Sequence, residues 1–491
     1  MISPASTTAP PAPGRARCPA TGLRTLRAST PRRAQGATRA AMAPLARLAA
    51  PLVGLNLLNV LALAVDTAMV GSLASSESAL AGLGFATQLA FLLLTAMMGV
   101  SVGAVTLISR AYGAGDEVRT RHLLAQARAV TVLIGVSVGV LGTLGARPLA
   151  RLLGAEGAAL EDALSYLRPL IVGSTLNYLA ILYAGAMRAV GNTWVPLRVG
   201  LIASLLNVVV NSVLIGGGGA IPPLGVAGAA YGTLASQALS LALLSRHLRK
   251  GDVAGLGLRS PGPWPRLDVA VARSFLRIGG PAALDFAMLN VAYLAVIGLL
   301  GHTDALAVAA HGVGMRIQLL AFAPAISISQ ATAALVGQHL GAARPDRARA
   351  TVRAALVQSL ALMTALPVAV LAAAPPLLEV FGVTPGTALG ELTLTWMTIM
   401  GASLPILGAN IVFVGMMQGA GATLTSLGIN SLATLGLQVP FAWLAGDVLG
   451  LGAVGVWLSV PVCFGTRAVL GLGVFRRGRW AEPRRAPRAG G

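Results

Sequence analysis

Four side chains in the first half of this sequence could assemble an oxygen cage. Asp66 is a lone carboxylate in an apolar run that ends near Gly71. Asn207 and Asn211 stand four residues apart in another apolar run, so both lie on one face of a helix. Asp66 and Asn211 are each about five residues from the same end of their runs, which sets them at comparable depth. Thr233, about eight residues into the next run, is a further oxygen donor. A hard cation such as Na⁺ wants several oxygen ligands, whereas a proton needs only the carboxylate. The same amides also serve as polar glue between helices.

A second carboxylate, Asp285, lies about ten residues into a later run, and Arg316 about eleven into the one after it. Both counts give a depth near the middle of the run. Two readings stand. The two residues form a buried ion pair of structural purpose, or Asp285 faces a cleft and attracts cationic substrate or a second proton. Gln88, Gln318, Tyr178, Tyr183, Met288 and Met315 are candidates to line such a cleft. Methionine offers an adaptable surface to varied ligands. The apolar runs hold no cluster of His with carboxylates, no Ser/Lys pair and no metal-ligand spacing, and the chain shows no nucleotide-binding loop. This predicts a protein that is not an enzyme and has no cofactor.

The elements that must position these groups are membrane spans. The chain is 55% hydrophobic and 11% charged, with a mean hydropathy of +0.77; soluble domains average about 25% charged. That excludes an ordinary soluble enzyme, a disordered chain and a coiled coil. A span needs about 20 mostly apolar residues. Twelve runs qualify, near 45–71, 80–109, 123–146, 163–187, 194–216, 225–246, 275–300, 305–337, 351–373, 388–413, 420–446 and 451–475. The net charge of +20 comes largely from arginines in alternate connections and in both tails. The positive-inside rule therefore places both termini in the cytoplasm and explains the charge without nucleic acid. The expectation is a multi-pass protein whose partners are membrane lipid and a small-molecule substrate, with the chain acting as a monomer. Cys18 and Cys463 are too far apart in kind of segment to predict a disulfide.

The two halves repeat. Ala79–Leu89 aligns with Ala309–Leu319 at an offset of 230 residues, and the same offset carries Pro51 to Pro281, Gly71 to Gly301, Asp116 to Asp346, Gly191 to Gly421 and Thr193 to Thr423. Six spans per half is an even number, so the second half enters the membrane in the orientation of the first. This predicts an all-α integral membrane fold of twelve helices, two six-helix lobes related by a parallel repeat. The expected boundaries are a basic tail at 1–41, disordered or targeting; a first lobe at 42–250; a cytoplasmic linker at 251–272; a second lobe at 273–475; and a basic tail at 476–491. The membrane is a bacterial inner membrane, or an organellar one if the Arg- and Ser-rich tail is a transit peptide.

Val65-Asp66-Thr67-Ala68-Met69-Val70-Gly71, the Gln88 and Gln318 segments, Gly337–Ala342 and Gly185–Thr193 together resemble the MATE (multidrug and toxic compound extrusion) family in order, spacing and duplication, over about residues 43–475. The resemblance implies secondary active efflux of organic, often cationic, compounds in exchange for Na⁺ or H⁺. It also implies that Asp66, Asn207 and Asn211 form a first-lobe cation site. Many relatives bear a Glu about eight residues after the proline matching Pro281. Leu289-Asn290 stand in that neighbourhood here, which argues against a second-lobe cation site. The competing readings are another twelve-span carrier and a lipid-linked-substrate flippase.

Overall fold

The protein's structure, a computed structural model, describes residues 31–71, 76–152, 154–217, 222–251 and 266–482. Every described element is a helix, as a lipid setting demands: backbone groups that no water can satisfy must bond within their own segment. The first lobe holds α1 (Pro31–Gly71), α2 (Ser76–Gly113), α3 (Glu117–Leu152), α4 (Gly157–Val172), α5 (Ser174–Ala189), α6 (Trp194–Gly216) and α7 (Val226–Lys250). The second holds α8 (Val269–Thr303), α9 (Ala305–Gly341), α10 (Pro345–Ala372), the short α11 (Ala374–Val380), α12 (Ala388–Gly419), α13 (Thr423–Ala433), α14 (Val439–Trp443) and α15 (Gly452–Arg477).

Among the described residues, nine stretches are each long and apolar enough to cross a membrane. Two more spans are bent: α4 and α5 form one that turns by 56° at Gly173, and α9 turns by 47° between Leu319 and Ala321. The 38-residue α2 completes twelve. The bend in α9 falls in the turn before Pro324, whose ring denies a partner to the carbonyl four residues earlier. The eleventh span, Thr423–Val448, is not uniform. Pro440 interrupts its ladder, and the turns Thr434–Gln438 and Leu444–Val448 widen into π-helix around it.

Helix starts follow their capping residues. The Asp268 carboxylate accepts from the backbone N–H groups of Ala270 (2.9 Å) and Val271 (3.2 Å) to begin α8. The Val271 bond leads in holding that carboxyl below the usual range. Asp304 accepts from the Leu306 N–H to begin α9.

Packing repeats with the offset read from the sequence. The first half of α1 buries Leu45, Leu48 and Leu52 against α9, α10 and α12 of the opposite lobe. The first half of α8 does the same in reverse, with Phe275 in the cluster of α2, α3, α5 and α7. Leu45 and Phe275, 230 residues apart, are 0% and 1% exposed. The far halves return home: Val70 packs in the first lobe and Leu300, again 230 on, in the second. Each lobe's first helix is thus a strap across both lobes.

Inter-lobe hydrogen bonds gather in the half that carries the arginine-rich connections. Thr106 Oγ1 donates to the Gln418 carbonyl (2.8 Å), and Gln338 Nε2 to the Ala189 carbonyl (2.8 Å). Arg110 donates to the Ala420 carbonyl at 2.6 Å. Gln126 grips the chain ahead of α8 through Arg266 O and Asp268 N, and Gln358 grips Met42 O in α1. Gly99 and Gly279 meet there without side chains: a Cβ on either would lie 2.4 or 2.5 Å from the other's carbonyl oxygen. Gly279→Val is expected to pry this end open, at about 1–3 kcal/mol of overpacking. The measurement is cross-linking between cysteines introduced on α2 and α8; a yield equal to that of the unsubstituted protein would contradict the packing described.

Residues 31–41 are helical and continuous with α1, which α10 holds just beyond them where Gln358 donates to the Met42 carbonyl. Residues 1–30 and 252–265 lie outside the described residues. At the other end Trp480, placed in the basic tail, is buried and stacks on Phe475 at 6.0 Å.

Candidate functional site

The stripe Gly228, Gly232, Ser236 lets α7 lie close against α6: a Cβ on Gly228 would sit 2.6 Å from the Leu214 backbone. That close approach presses α6's polar face into the lobe. Asn207 and Asn211 are 5% and 0% exposed. Asn211 Nδ2 donates to Asp66 Oδ1 at 2.7 Å. The Asn207 amide has two useful orientations. With oxygen inward it accepts from Asn211 Nδ2 at 3.3 Å. With nitrogen inward it donates to Asp66 Oδ1 at 2.9 Å, and its oxygen accepts from the Thr233 N–H at 3.3 Å. Asp66 itself is half-buried, so an ion can reach it.

The structure thus brings Asp66, Asn207, Asn211 and Thr233 together. It adds Tyr166 from α4, buried beside Thr233 and within electrostatic range of Asp66. A hydroxyl in the apolar fourth span was the available signal for it. Asn211 Oδ1 is buried with no donor. An orphaned carbonyl oxygen beside a carboxylate fits a cation better than it fits a closed hydrogen-bond network. Among the described residues, Asp66 has no ion-pair partner within 4.0 Å and no group of three or more metal-ligating side chains occurs. The arrangement suits a monovalent ion or a proton.

The second lobe departs from expectation. Asp285 and Arg316 do not pair: Arg316 is exposed, while Asp285 is buried at 6% exposure. Asp285 instead accepts from Ser426 Oγ (2.9 Å) and Asn430 Nδ2 (2.5 Å) of α13. Counted from the turn at Asp304, Asp285 lies nineteen residues back along α8 and Arg316 twelve forward along α9, a height difference of about 10 Å at 1.5 Å per residue, so Arg316 stands nearer Tyr293 than Asp285. Ser426, Asn430 and Thr434 form an i, i+4, i+8 stripe, and Arg467 stands inside the twelfth span. Both signals were present in the sequence.

Of the expected cleft residues, Gln318 lines a small recess in the second lobe with Trp396, Met397 and Met400. Trp396 is held by an indole N–H bond to His311 Nδ1 at 2.9 Å. Met288 is half-buried on α8. Tyr178 does not face a cleft: it is 2% exposed, inside the apolar cluster of α2, α3 and α5. That site favours its ring over contact with a ligand. The Gln88 side chain lies outside the described residues.

Comparison with known proteins follows the same lines. The family model described as MatE matches residues 51–213 and 281–444, one block in each lobe. A Thermotoga maritima protein described as "probable multidrug resistance protein NorM" is 26% identical over 446 residues, covering 89% of this chain and 93% of its own. The Shewanella oneidensis FAD transporter is 27% identical over 420 residues, with 84% and 88% covered. A crystal structure of a Vibrio cholerae MATE transporter, VcmN, superposes with a TM-score of 0.82 at 22% identity, over 91% of this chain and 99% of that one.

Proposed function

The chain belongs to the MatE family of multi-pass membrane transporters, and from that premise we propose that it exports organic compounds, cationic or amphipathic, by antiport with H⁺ or Na⁺. The observation that carries this reading is the half-buried Asp66 carboxylate, bonded only to neutral groups, next to the orphaned Asn211 oxygen. A charge at membrane depth without a counter-charge costs several kcal/mol and marks an ion pathway by default.

The mechanism follows from unequal binding of the ion by two states. The lobes meet at the arginine-rich end, which the positive-inside rule assigns to the cytoplasm. This form accordingly opens outward. An ion arriving from outside meets Asp66. Capture lets Asn207 turn its oxygen inward, so that Asn207, Asn211 and Thr233 offer oxygen to the ion or, for a proton, to the neutral acid. Neutralising Asp66 removes the penalty on closing the outer half of the first lobe around it. Closure then lets the lobes rock on the α1 and α8 straps and release the ion inward. The 42–250 and 273–475 segments act as the two rocking bodies, in a bacterial inner membrane, each molecule working alone.

Uptake of a fluorescent organic cation into everted vesicles, with Na⁺ and pH gradients imposed separately, tests this. Uptake driven by one gradient supports antiport; uptake indifferent to both refutes it. A flavin dinucleotide arm asks whether the substrate follows the Shewanella relative instead. Within the site, Asn207→Ala or Asn211→Ala is expected to raise the ion concentration for half-maximal export by about 10-fold, the loss of one charge-assisted bond. A titration midpoint that does not move would remove these amides from the ion's path.

A further inference from the structure

The second lobe holds a carboxylate network on the same three helices as the first. In the first lobe the first, fifth and sixth spans meet at Asp66, Asn211 and Thr233. In the second, α8, α13 and α15 meet at Asp285, Ser426, Asn430, Thr434 and Arg467. The network is not a copy by register. The 230 offset carries Asp66 to Val296, and Asp285 stands three helical turns nearer the arginine-rich end.

The decisive difference is a fixed positive charge. Arg467 is 3% exposed. Its guanidinium donates to Thr434 Oγ1, the next step of the α13 stripe that bonds Asp285. Its charge and that of Asp285 lie close enough to interact, though no direct contact within 4.0 Å joins them. Its Nε is buried with no acceptor. Thr434 also opens the π turn Thr434–Gln438, whereas α6, the matching helix of the first lobe, is α-helical throughout. π turns recur at functional sites. Cys463, also on α15, borders the same groups.

We propose that Arg467 is a tethered counter-cation for Asp285, so that the second lobe stays charge-compensated throughout the cycle and the transporter takes up a single coupling ion, at the first lobe. A buried carboxylate must be neutralised or paired. In the first lobe that demand is met by an ion that comes and goes; in the second it is met by a side chain that cannot leave. The proposal rests on the reading of Asp66 as the coupling group.

The test uses four full-length proteins in liposomes: wild type, Asp285→Asn, Arg467→Gln and the double variant. Ethidium, an organic monovalent cation, is the probe, and the voltage dependence of its export at fixed gradients gives ions moved per ethidium: one-for-one exchange carries no net charge and is indifferent to voltage, whereas two ions per ethidium are driven by it. Wild type should move one ion; two would overturn the proposal. Arg467→Gln leaves Asp285 without its counter-charge. It should either move two ions or lose folded yield and transport at least 10-fold. Normal yield with one ion would overturn the proposal. The double variant removes both charges and should recover yield and a stoichiometry of one. Failure to improve on Arg467→Gln would overturn it, since a purely local packing role for Arg467 is not rescued by removing Asp285. An Asp66→Asn control that still couples sinks the first-lobe reading, while rescue by the double variant is scored separately.

Discussion

Purified Asp66→Asn protein in liposomes is expected to fold, bind substrate and fail to export it under either a Na⁺ or a pH gradient. The substitution keeps the size of the side chain and removes its charge. Asn211 Nδ2, now 2.7 Å from Asp66 Oδ1, can donate to an amide oxygen as well, so the local packing survives. What vanishes is the difference in ion affinity between the two states of the lobe. Coupling free energies run about 1–3 kcal/mol, up to roughly 150-fold in equilibrium terms, so gradient-driven export should fall by on the order of 100-fold. Thermal stability should hold or rise, because an uncompensated carboxylate is no longer buried. Export at the wild-type rate under both gradients would show that the ion couples elsewhere.

The second large effect comes from a residue with no polar side chain. Gly232 faces Asn211, and a Cβ there would fall 1.8 Å from Asn211 Oδ1. Gly232→Ala must therefore turn the Asn211 amide away from Asp66 or push α7 off α6. Alanine gains up to about 1 kcal/mol of helix propensity over glycine, so the helix itself does not suffer. The neighbouring Gly228 contact with the Leu214 backbone keeps α7 in place, and the amide is the softer element. Displacing a group that orients a ligand typically costs 10- to 100-fold in ion affinity. The ion concentration for half-maximal export should rise by about that factor, with folded yield retained. An unchanged requirement would mean that Asn211 Oδ1 takes no part in holding the ion. Loss of yield alone would instead place the effect in helix packing.

The sequence by itself determined the membrane spans, their number and the repeat. A span is a local property: lipid forces each segment to satisfy its own backbone, so hydropathy over some twenty residues suffices to find it. The offset of 230 reappears in the packing of Leu45 and Phe275 and of Val70 and Leu300, because duplicated helices bury duplicated faces. Asp66 with Asn207 and Asn211 was legible for the same reason. Two amides at i, i+4 share a face whatever the neighbours do, and charge at depth is rare enough to single out. Tertiary structure decided everything that depends on helix rotation and bending. Residue counts set Asp285 and Arg316 both near mid-span, yet they are not level along α8 and α9, and α8 presents Asp285 to α13 rather than to α9. Tyr178 reads as a cleft aromatic until the 56° bend between α4 and α5 places it in the apolar interior. The π turns around Pro440 set where Thr434 meets Arg467. Residue counts report height along a helix; which way a side chain turns at that height is settled only when the helices pack.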